Sequence, residues 1–479
     1  MNRITLGLLG ISVFVSLGHA QVTWRRAFGA FANDDCQVVR VVSDDLFILA
    51  GTTGSFGGGA SDIYMLAVNG DGILQWSRPI GGQQIEQCTD MRIAEDGGMW
   101  LVGNTNAGTN GYEGLLIRTD ATGEPLWQRT YGGQDWDFFH SVQTTSDGGV
   151  LISGQTFSYD DTGGKAWLLR MDSSGDTLWT HVFRSDEEQV AYAAIATQDG
   201  GYALCGATTT PDRELDAWVV KLNAERVIQW SGNYGGDSLD LAKDIIQTID
   251  GGFSAIGSTR SQSAFVESYH LKVDATGGEE WSFNWGQISD QEGSELLQIP
   301  SGEYLHIGYT TTSGGGGRDM FIQKSGIVGE FVFGTTFGGF ENDEGSSIAL
   351  TSTGYVCGGV TSSYGAGGKD VFLVRTDLNG LTASQSVTAQ FDAVDVPEIE
   401  QRNTVRVFPI PSEGWFIVEG ISVPLQAKLL DMTGRCAEWI KGSLVGSRVE
   451  VSVPSGMYTL EWTENSGRVH RRSIIIARP

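Results

Sequence analysis

Apolar and polar residues alternate in short runs along most of this chain, and glycine-rich turns separate the runs. In residues 137–157 the runs lie on either side of an Asp-Gly-Gly turn, which predicts a hairpin. A third run covers residues 166–171, and a turn at residues 172–175 leads into a fourth run centred on Trp179. The pattern predicts units of four antiparallel strands.

The unit recurs seven times, at intervals of 51 or 52 residues. Each unit has an aromatic residue that is followed five positions later by a glycine-rich turn, and these aromatic residues are Trp24, Trp76, Trp127, Trp179, Trp230, Trp281 and Phe333. A Gly-x-Thr motif recurs at the same phase and begins at Gly51, Gly103, Gly154, Gly206, Gly257, Gly308 and Gly359. A fixed period of this length with four strands per unit predicts an all-β fold, a seven-bladed β-propeller of four-stranded blades.

The phase of the repeat predicts how the ring closes. Residues 21–28 form a strand before the first hairpin, whereas the seventh unit supplies three strands and stops near residues 377–380. The N-terminal strand should therefore complete the last blade, which removes exposed sheet edges. We expect this domain to span residues 21–381.

The same topology sorts the loops onto two faces. The tight turns lie on one face, and the longer connections, such as residues 55–61 and 311–318, lie on the other together with the links between blades. We call the second face the long-loop face. Function is expected there, because binding residues concentrate on loops that a rigid scaffold positions.

Residues 1–20 have the layout of a secretory signal peptide. Arg3 precedes an apolar run over residues 4–17, and Gly18-His19-Ala20 precedes Gln21. Cleavage is expected near Ala20, and the absence of a cysteine at position 21 argues against a lipid anchor there. Later stretches are not apolar enough to be transmembrane segments. The sequence therefore predicts a secreted or cell-surface protein.

The formal net charge is −27, and the propeller region carries all of the negative excess. Nucleic acid is excluded as a partner, because phosphate binding needs clustered positive charge. The five cysteines are scattered, which argues against a disulfide framework or a zinc site. Cys36 and Cys88 occupy equivalent places in adjacent repeats, so the alternatives for them are one disulfide or two buried thiols.

Residues 402–479 break the repeat and differ from the rest in charge. They contain Val407-Phe408-Pro409-Ile410-Pro411-Ser412-Glu413-Gly414-Trp415, then Lys428-Leu429-Leu430-Asp431-Met432-Thr433-Gly434-Arg435, then Val453-Pro454-Ser455-Gly456-Met457-Tyr458, and finally Arg472-Ser473-Ile474-Ile475-Ile476. In this order the four segments resemble the C-terminal sorting domain of the type IX secretion system, type A family. Ile410 stands where the family pattern has asparagine.

The resemblance implies a small Ig-like β-sandwich over residues 402–479, joined to the propeller by a linker at residues 382–401. It also implies that the type IX secretion machinery is a partner, that the source is a Bacteroidota-type bacterium, and that the protein is exported across the outer membrane. Such a signal supplies an address and leaves the activity open. An accessory sandwich without a sorting role is the alternative.

Ten residues after each repeat aromatic stands a carboxylate or an amide, and the members of this row are Asp34, Glu86, Asp137, Gln189, Asp240, Gln291 and Asp343. We expect the row at the start of the innermost strands, on the long-loop face. Its carboxylates form a candidate Ca²⁺ site at the channel mouth, because Ca²⁺ prefers several oxygen ligands. The alternative is that these side chains hydrogen-bond the backbone of the blade links.

Residues that do not recur between blades are candidates for ligand binding. The candidates are Trp136, His140, Lys243, Tyr112, Tyr159 and Tyr364. Aromatic side chains beside carboxylates suit sugar or peptide binding, since they offer flat apolar contact with a polar rim. The alternative is that each residue packs within the fold.

Catalytic motifs are absent from the sequence: there is no Gly-x-Ser-x-Gly elbow, and the histidines lack metal-site spacing. We therefore expect a binding or adhesion module for extracellular glycan or protein. The alternatives are a secreted polysaccharide hydrolase or lyase with its site at the channel mouth, and a structural surface protein. Two facing carboxylates in a deep pocket would favour the hydrolase.

Overall fold

The computed structural model describes residues 22–391 except for 109–110, 160–162, 211–212, 287 and 385. Beyond them it describes residues 406–408, 415–419, 426–431, 435–440, 448–454, 456–463 and 469–476. The predicted signal peptide and its cleavage site lie outside the described residues. The chain divides into two units, Met1–Val394 and Asp395–Pro479.

The described part of the first unit is built of strands. They are β1 (Trp24–Gly29), β2 (Val38–Ser43), β3 (Leu46–Thr53), β4 (Asp62–Asn69), β5 (Leu74–Ile80), β6 (Glu86–Ile93), β7 (Met99–Thr105), β8 (Glu113–Thr119), β9 (Pro125–Tyr131), β10 (Asp137–Thr144), β11 (Val150–Thr156), β12 (Lys165–Met171), β13 (Thr177–Val182), β14 (Gln189–Ala196), β15 (Tyr202–Thr210), β16 (Arg213–Leu222), β17 (Ile228–Tyr234), β18 (Asp240–Gln247), β19 (Phe253–Thr259), β20 (Glu267–Val273), β21 (Glu279–Trp285), β22 (Gln291–Gln298), β23 (Tyr304–Thr310), β24 (Asp319–Ser325), β25 (Phe331–Phe337), β26 (Asp343–Leu350), β27 (Gly354–Thr361), β28 (Asp370–Asp377) and β29 (Val387–Phe391).

These strands form seven sheets like the blades of a propeller. Blades 1 to 6 are the consecutive antiparallel quartets from β2–β5 to β22–β25, and blade 7 contains β26, β27, β28, β1 and β29 in that order. The innermost strands contact one another in sequence, and β26 of blade 7 contacts β2 of blade 1. The all-β prediction is confirmed. In the described part of the chain we find no helix that is long and apolar enough to cross a membrane.

Blade 7 joins the two ends of the repeat region. β1 pairs antiparallel with β28, and Phe28 lies opposite Val371. On its other edge β1 pairs in parallel with β29, where Arg25 lies opposite Val387. β29 belongs to the segment predicted as a linker, so the ordered unit continues beyond residue 381. The extra strand covers an edge of β1 that would otherwise present unpaired backbone groups.

Burial differs between the strands of a blade. In the third strands nearly every side chain is buried, as in β20, because both faces of each blade pack against neighbouring blades. The outer strands, such as β17, are mostly exposed. Cys36 and Cys88 are buried free thiols, so the disulfide considered for them is absent and the packing alternative is correct.

The second unit contains two antiparallel sheets in its described residues. β30 (Arg406–Phe408), β31 (Trp415–Glu419) and β34 (Arg448–Glu450) form one, and β32 (Gln426–Leu430), β33 (Cys436–Trp439), β35 (Gly456–Thr463) and β36 (Val469–Ile476) form the other. Residues of both sheets, including Leu429, Val449 and Leu460, share one hydrophobic cluster. Several residues of the sorting motifs, among them 409–414, 432–434 and 455, lie outside the described residues.

Candidate functional site

The long-loop face carries a cluster of three aromatic side chains, which we call the Trp136 cluster: Tyr112, Trp136 and Phe138. The ring centroids of Tyr112 and Phe138 are 5.6 Å apart, and those of Trp136 lie 6.1 and 6.2 Å from the other two. Trp136 is 51% exposed, in the link between blades 2 and 3. Gly111 approaches the indole so closely that a Cβ would overlap it. The contacts hold Trp136 in place and leave an apolar surface open to solvent.

Three further apolar side chains project from this face, and the sequence analysis missed them. Phe31, Ile288 and Phe340 are 90, 76 and 87% exposed. All three occupy one repeat position, three residues before the first-strand carboxylate or amide. Ile288 lies in the link between blades 5 and 6, Phe340 in that between blades 6 and 7, and Phe31 in that between blades 7 and 1. The sequence distinguishes these three links from the others, because the same position is polar in the remaining four: Gln83, Gln134, Asp186 and Asp237.

Tyr159 and Tyr364 occupy equivalent places in their blades and have a structural role. The phenol of Tyr159 donates to the carbonyl of Gly132 at 3.1 Å, and that of Tyr364 donates to the carbonyl of Gly338 at 2.7 Å. Burial raises the pKa of both phenols. Each tyrosine fastens a blade link to the long loop of the blade that follows, Tyr159 at the link that carries Trp136 and Tyr364 at the link between blades 6 and 7.

His140 and Lys243 lie elsewhere, in the central channel. In blades 2 to 7 the innermost strand has a β-bulge at one repeat position. The bulged residues are Thr89, His140, Tyr192, Lys243, Ser294 and Ser346, and all of them line a cavity of ≈ 470 Å³. A bulge re-aims the side chain of its extra residue. The bulges therefore bring together residues from six blades.

The imidazole of His140 and the phenol of Tyr192 are neighbours in this channel, with ring centroids 5.3 Å apart. Burial lowers the pKa of His140 to about 4, so the imidazole is neutral at pH 7. Burial also raises the pKa of Tyr192. Lys243 forms an ion pair with Glu292 on the next blade. The channel thus holds a neutral base beside a protonated phenol.

A group of charged side chains, which we call the belt, lines the same cavity as the bulged residues: Arg40, Asp90, Arg92, Asp244 and Glu295. Arg40 reaches both Asp90, at 3.2 Å, and Glu295, at 3.0 Å, and Arg92 lies 2.6 Å from Asp90. Burial and the nearby Glu295 carboxylate raise the pKa of Asp244 to about 7. Arg40 and Arg92 are thus paired with Asp90 and Glu295, whereas Asp244 has no ion pair among the described residues.

The carboxylates of the belt also connect neighbouring blades. Asp90 accepts the backbone N–H of Val142 at 3.0 Å, Asp244 that of Leu296 at 2.9 Å and Glu295 that of Ile348 at 2.7 Å. Because backbone donors and arginines occupy oxygens of Asp90 and Glu295, these two acids are not arranged as a free acid/base pair for glycoside cleavage.

The first-strand acid row is buried at the blade links. Asp34 accepts from Thr53 and Ser55 hydroxyls at 2.5 and 2.7 Å and from the backbone N–H of Ala30 at 2.9 Å. Asp137, Asp240 and Asp343 each accept a backbone N–H from four residues earlier and a serine hydroxyl, and Glu86 accepts from Gly82 and Thr105. This is the backbone-bonding alternative. Among the described residues no three His, Cys, Asp or Glu side chains are grouped to hold a metal ion.

A second acid row, at the start of the third strands, was missed by the sequence analysis. It comprises Asp62, Glu113, Asp216, Glu267, Asp319 and Asp370, with Lys165 at the equivalent position of blade 3. Five of the six acids are buried. Burial, together with the neighbouring first-strand acids Asp343 and Asp34, raises the pKa of Asp319 and of Asp370 to about 6. An acid recurs at this position in six of the seven blades, so the row could have been found from the sequence.

Comparison with known proteins finds similarity to a curated bacterial protein and to solved structures. No family model matches the chain. A curated relative is Regulatory protein FlaEY of Caulobacter vibrioides (strain ATCC 19089 / CIP 103742 / CB 15), which is 23% identical over 368 residues. The match covers 69% of this chain and 35% of the relative, so the chain spans about a third of that protein's length.

Three solved structures are similar in shape. The Neurospora crassa Pan2 WD40 domain has a TM-score of 0.47 at 10% identity, and the match covers 76% of this chain and 98% of that one. The polysaccharide lyase Uly1 has a TM-score of 0.44 at 11% identity, with coverage of 71 and 90%. The β-propeller domain of the Trilobed protease from Pyrococcus furiosus has a TM-score of 0.42 at 11% identity, with coverage of 74 and 98%.

Proposed function

We propose that this protein is an exported binding or adhesion module that contacts an extracellular glycan or protein through the long-loop face of its propeller. The observation that supports this most is the Trp136 cluster, in which packed rings present an open apolar surface. Phe31, Ile288 and Phe340 add exposed apolar side chains on the same face, at three consecutive blade links in another part of the ring. Exposed apolar groups of this size with polar rims are typical of interaction sites.

The geometry favours binding over hydrolysis. In the channel Asp90 and Glu295 are paired with Arg40 and Arg92, so among the belt acids Asp244 has no partner carboxyl that is free of an ion pair. The first-strand acids accept hydroxyl and backbone hydrogen bonds. A glycosidase needs one carboxyl free to donate a proton and a second free to act as base or nucleophile. The exposed aromatic side chains have no comparable internal partner for their outer faces.

A glycan array and an array of extracellular proteins, probed with the chain from Gln21 onward, test this function. The expected result is selective, saturable binding to a small group of related ligands, which the Trp136→Ala variant loses. Binding that survives Trp136→Ala and alanine substitution of Phe31, Ile288 and Phe340 would contradict the role of this face.

A second candidate function is β-elimination of a uronate-containing polysaccharide in the channel. The observation that favours it is the juxtaposition of His140 and Tyr192 with Arg40, Arg92 and Lys243 in one cavity. A neutral imidazole could take the proton next to a carboxylate, a phenol could protonate the leaving oxygen, and a cation could stabilise the charge that develops. Ultraviolet absorbance of an unsaturated product, lost in His140→Ala, would support it; its absence across a panel of uronate polymers would rule it out.

The export route is also part of the proposal. We infer from the four motifs of residues 402–479 that the second unit is a sandwich that directs the chain through type IX secretion, with residues 1–20 as the signal peptide. The antiparallel β32, β35 and β36 and their shared core support a compact, separate unit. A reporter fused to residues 402–479 should reach the medium or surface of a host with that machinery, and retention in the periplasm would contradict the inference.

A further inference from the structure

At three adjoining blade junctions, two buried carboxylates from different blades face each other across a glycine. Asp370 of blade 7 and Asp34 of blade 1 meet at Gly29, Asp62 and Glu86 meet at Gly81, and Asp319 and Asp343 meet at Gly338. A Cβ on any of these glycines would overlap an oxygen of each carboxylate. The two oxygens of a pair therefore lie within about 5 Å of each other, where like charges repel.

The third-strand carboxylate of each pair has an oxygen that lacks a hydrogen-bond partner. Asp62 Oδ2 accepts the N–H groups of Gly58 and Gly59, at 3.1 and 3.3 Å, and Asp370 Oδ2 accepts that of Ala366 at 3.0 Å. The loop thus holds one oxygen of the carboxylate and directs Oδ1 towards the junction glycine. Asp62, Asp319 and Asp370 are each 1% exposed, and Oδ1 of each is buried without a partner among the described residues.

No lysine or arginine in the described part of the chain forms an ion pair with these three aspartates. A buried carboxylate without a compensating positive charge is costly, and a second carboxylate beside it adds to the cost. The negative charge of the three carboxylate pairs is therefore not balanced by a lysine or arginine of the described residues. A bound cation would balance it.

The junction between blades 3 and 4 is an internal comparison. There the third-strand acid is replaced by Lys165, the first-strand acid by Gln189 and the junction glycine by Arg184. Lys165 is 0% exposed, and its Nζ donates to the carbonyl of Glu187 at 2.7 Å. Where a built-in ammonium is present, both carboxylates and the glycine between them are gone together. At this junction the loss of the carboxylate pair coincides with a built-in positive charge, whereas the junction between blades 5 and 6 keeps Glu267 and Gly286 but has Gln291 in place of the first-strand acid.

We propose that the three junctions at Gly29, Gly81 and Gly338 bind divalent cations, with Ca²⁺ as the best fit, between the third-strand carboxylate of one blade and the first-strand carboxylate of the next. Ca²⁺ is a hard cation that accepts carboxylate, carbonyl and water oxygens in irregular arrangements. Each junction offers the unpartnered Oδ1 of the third-strand aspartate and one oxygen of the first-strand carboxylate, which also accepts backbone or hydroxyl hydrogen bonds. Water supplies the remaining oxygens of the shell. The cation neutralises the pair and ties two blades together.

The inference is independent of the proposed binding function, because the junctions are buried and the long-loop side chains are not part of them. The junction sites should bind Ca²⁺ with the affinity of extracellular Ca²⁺ modules, a Kd of about 10⁻⁴ to 10⁻³ M. Failure of ligand binding on the arrays would leave it untouched, and failure of cation binding would leave the proposed function untouched.

The test is calorimetric titration and thermal unfolding of the chain from Gln21 onward, first freed of metal with EDTA and then titrated with CaCl₂ or MgCl₂ at constant ionic strength. We expect binding of up to three Ca²⁺ per chain, and a Tm that rises with Ca²⁺ concentration. The variant Asp62→Asn/Asp319→Asn/Asp370→Asn should lose both effects. Glu95→Gln, an exposed acid on the opposite face, is the control and should retain them.

A single substitution keeps the test valid if the triple variant does not fold. Asp319→Lys copies the natural Lys165 and should lower the Ca²⁺ stoichiometry by one while raising the Tm measured in EDTA. The proposal is overturned if neither cation produces heat or a change in Tm. It is also overturned if the triple variant binds Ca²⁺ like the parent, or if acidification alone stabilises the metal-free chain and no cation does.

Discussion

The backbone N–H of Val39 donates to Oγ of Ser347 at 3.0 Å, although 308 positions separate the two residues. Val39 lies on the innermost strand of blade 1 and Ser347 on that of blade 7, so this bond crosses the junction where the ring closes. The Ser347 hydroxyl also accepts from the Arg40 guanidinium at 3.1 Å. One hydroxyl thus connects ring closure with the charged belt of the channel.

Replacing Ser347 with alanine should therefore destabilise the ring. The change leaves the buried N–H of Val39 without a partner, which costs about 1 to 3 kcal/mol. Denaturant unfolding monitored by tryptophan fluorescence should show the lower free energy of unfolding. Ser346→Ala is the matched control, because its side chain faces the channel; a loss in this variant as large as in Ser347→Ala would contradict the assignment.

The buried histidines predict a loss of stability in acid. The rings of His270 and His306 are 5.7 Å apart and wholly buried. Burial lowers the pKa of His306 to about 3, and burial together with His306 lowers that of His270. Because the folded pKa values are below the unfolded value, the unfolded chain binds more protons as the pH falls below about 6.5. Each of the two histidines should then lower the stability by about 1.4 kcal/mol per pH unit, whereas the buried acids with a raised pKa, such as Asp244, act in the opposite direction.

This pH dependence can be measured from the free energy of unfolding between pH 7.5 and about 5, the range over which an unfolded histidine becomes charged. His306→Phe should reduce the slope, since phenylalanine fills the same space against Trp285 and Phe321 without titrating. Tyr304→Phe, which alters a neighbouring ring that is neutral throughout this range, should leave the slope unchanged. Equal slopes in His306→Phe and the parent would exclude His306 as a cause.

Two adjacent glycines in the link from blade 1 to blade 2 should differ sharply in their tolerance of alanine. A Cβ at Gly81 would overlap Asp62 Oδ1 and Glu86 Oε2, whereas a Cβ at Gly82 has nothing within 4 Å. Gly81→Ala should lower the free energy of unfolding by about 1 to 3 kcal/mol, as overpacking does. Gly82→Ala should change it by less than about 0.5 kcal/mol. Similar denaturation midpoints for the two variants would show that Asp62 and Glu86 can move away from the added methyl group at little cost in free energy.

The exposed ring of Phe340 should contribute to ligand affinity once a ligand is found. Phe340→Ala removes an apolar side chain on the long-loop face and should weaken binding about tenfold, which corresponds to about 1.4 kcal/mol. Phe331→Ala is the matched control, because Phe331 is also exposed but lies on the outer strand β25. Titration of immobilised ligand compares the two, and equal affinities would remove Phe340 from the binding surface.

Thiol titration should distinguish free cysteines from a disulfide. Cys36, Cys88, Cys205 and Cys357 are buried and Cys436 is exposed. Burial raises the pKa of the four buried thiols, which suppresses their reactive thiolate form. We expect one reactive thiol in the native chain and five in denaturant. Three thiols in denaturant would show that two cysteines are paired.

Local patterning predicted the strands of the propeller well. The spacing of Trp24, Trp76 and their equivalents marked the seven units, because side-chain alternation and Asp-Gly turns act between near neighbours in sequence. The same phase placed β1 beside β28. It did not place β29, since a five-residue strand that pairs in parallel with β1 has no turn signal to mark it.

The candidate site was harder to predict, because its residues meet only through the ring. The bulges that turn His140 and Lys243 into the channel depend on pairing with the second strand of each blade, and one extra residue leaves no mark in the composition. Tyr159 and Tyr364 were predicted to bind a ligand, but in the structure their phenols donate hydrogen bonds to carbonyls of the blade links. The facing of Asp319 and Asp343 across Gly338 depends on how one blade packs on the next. Repetition along the chain thus set the blades, and packing between blades set the chemistry.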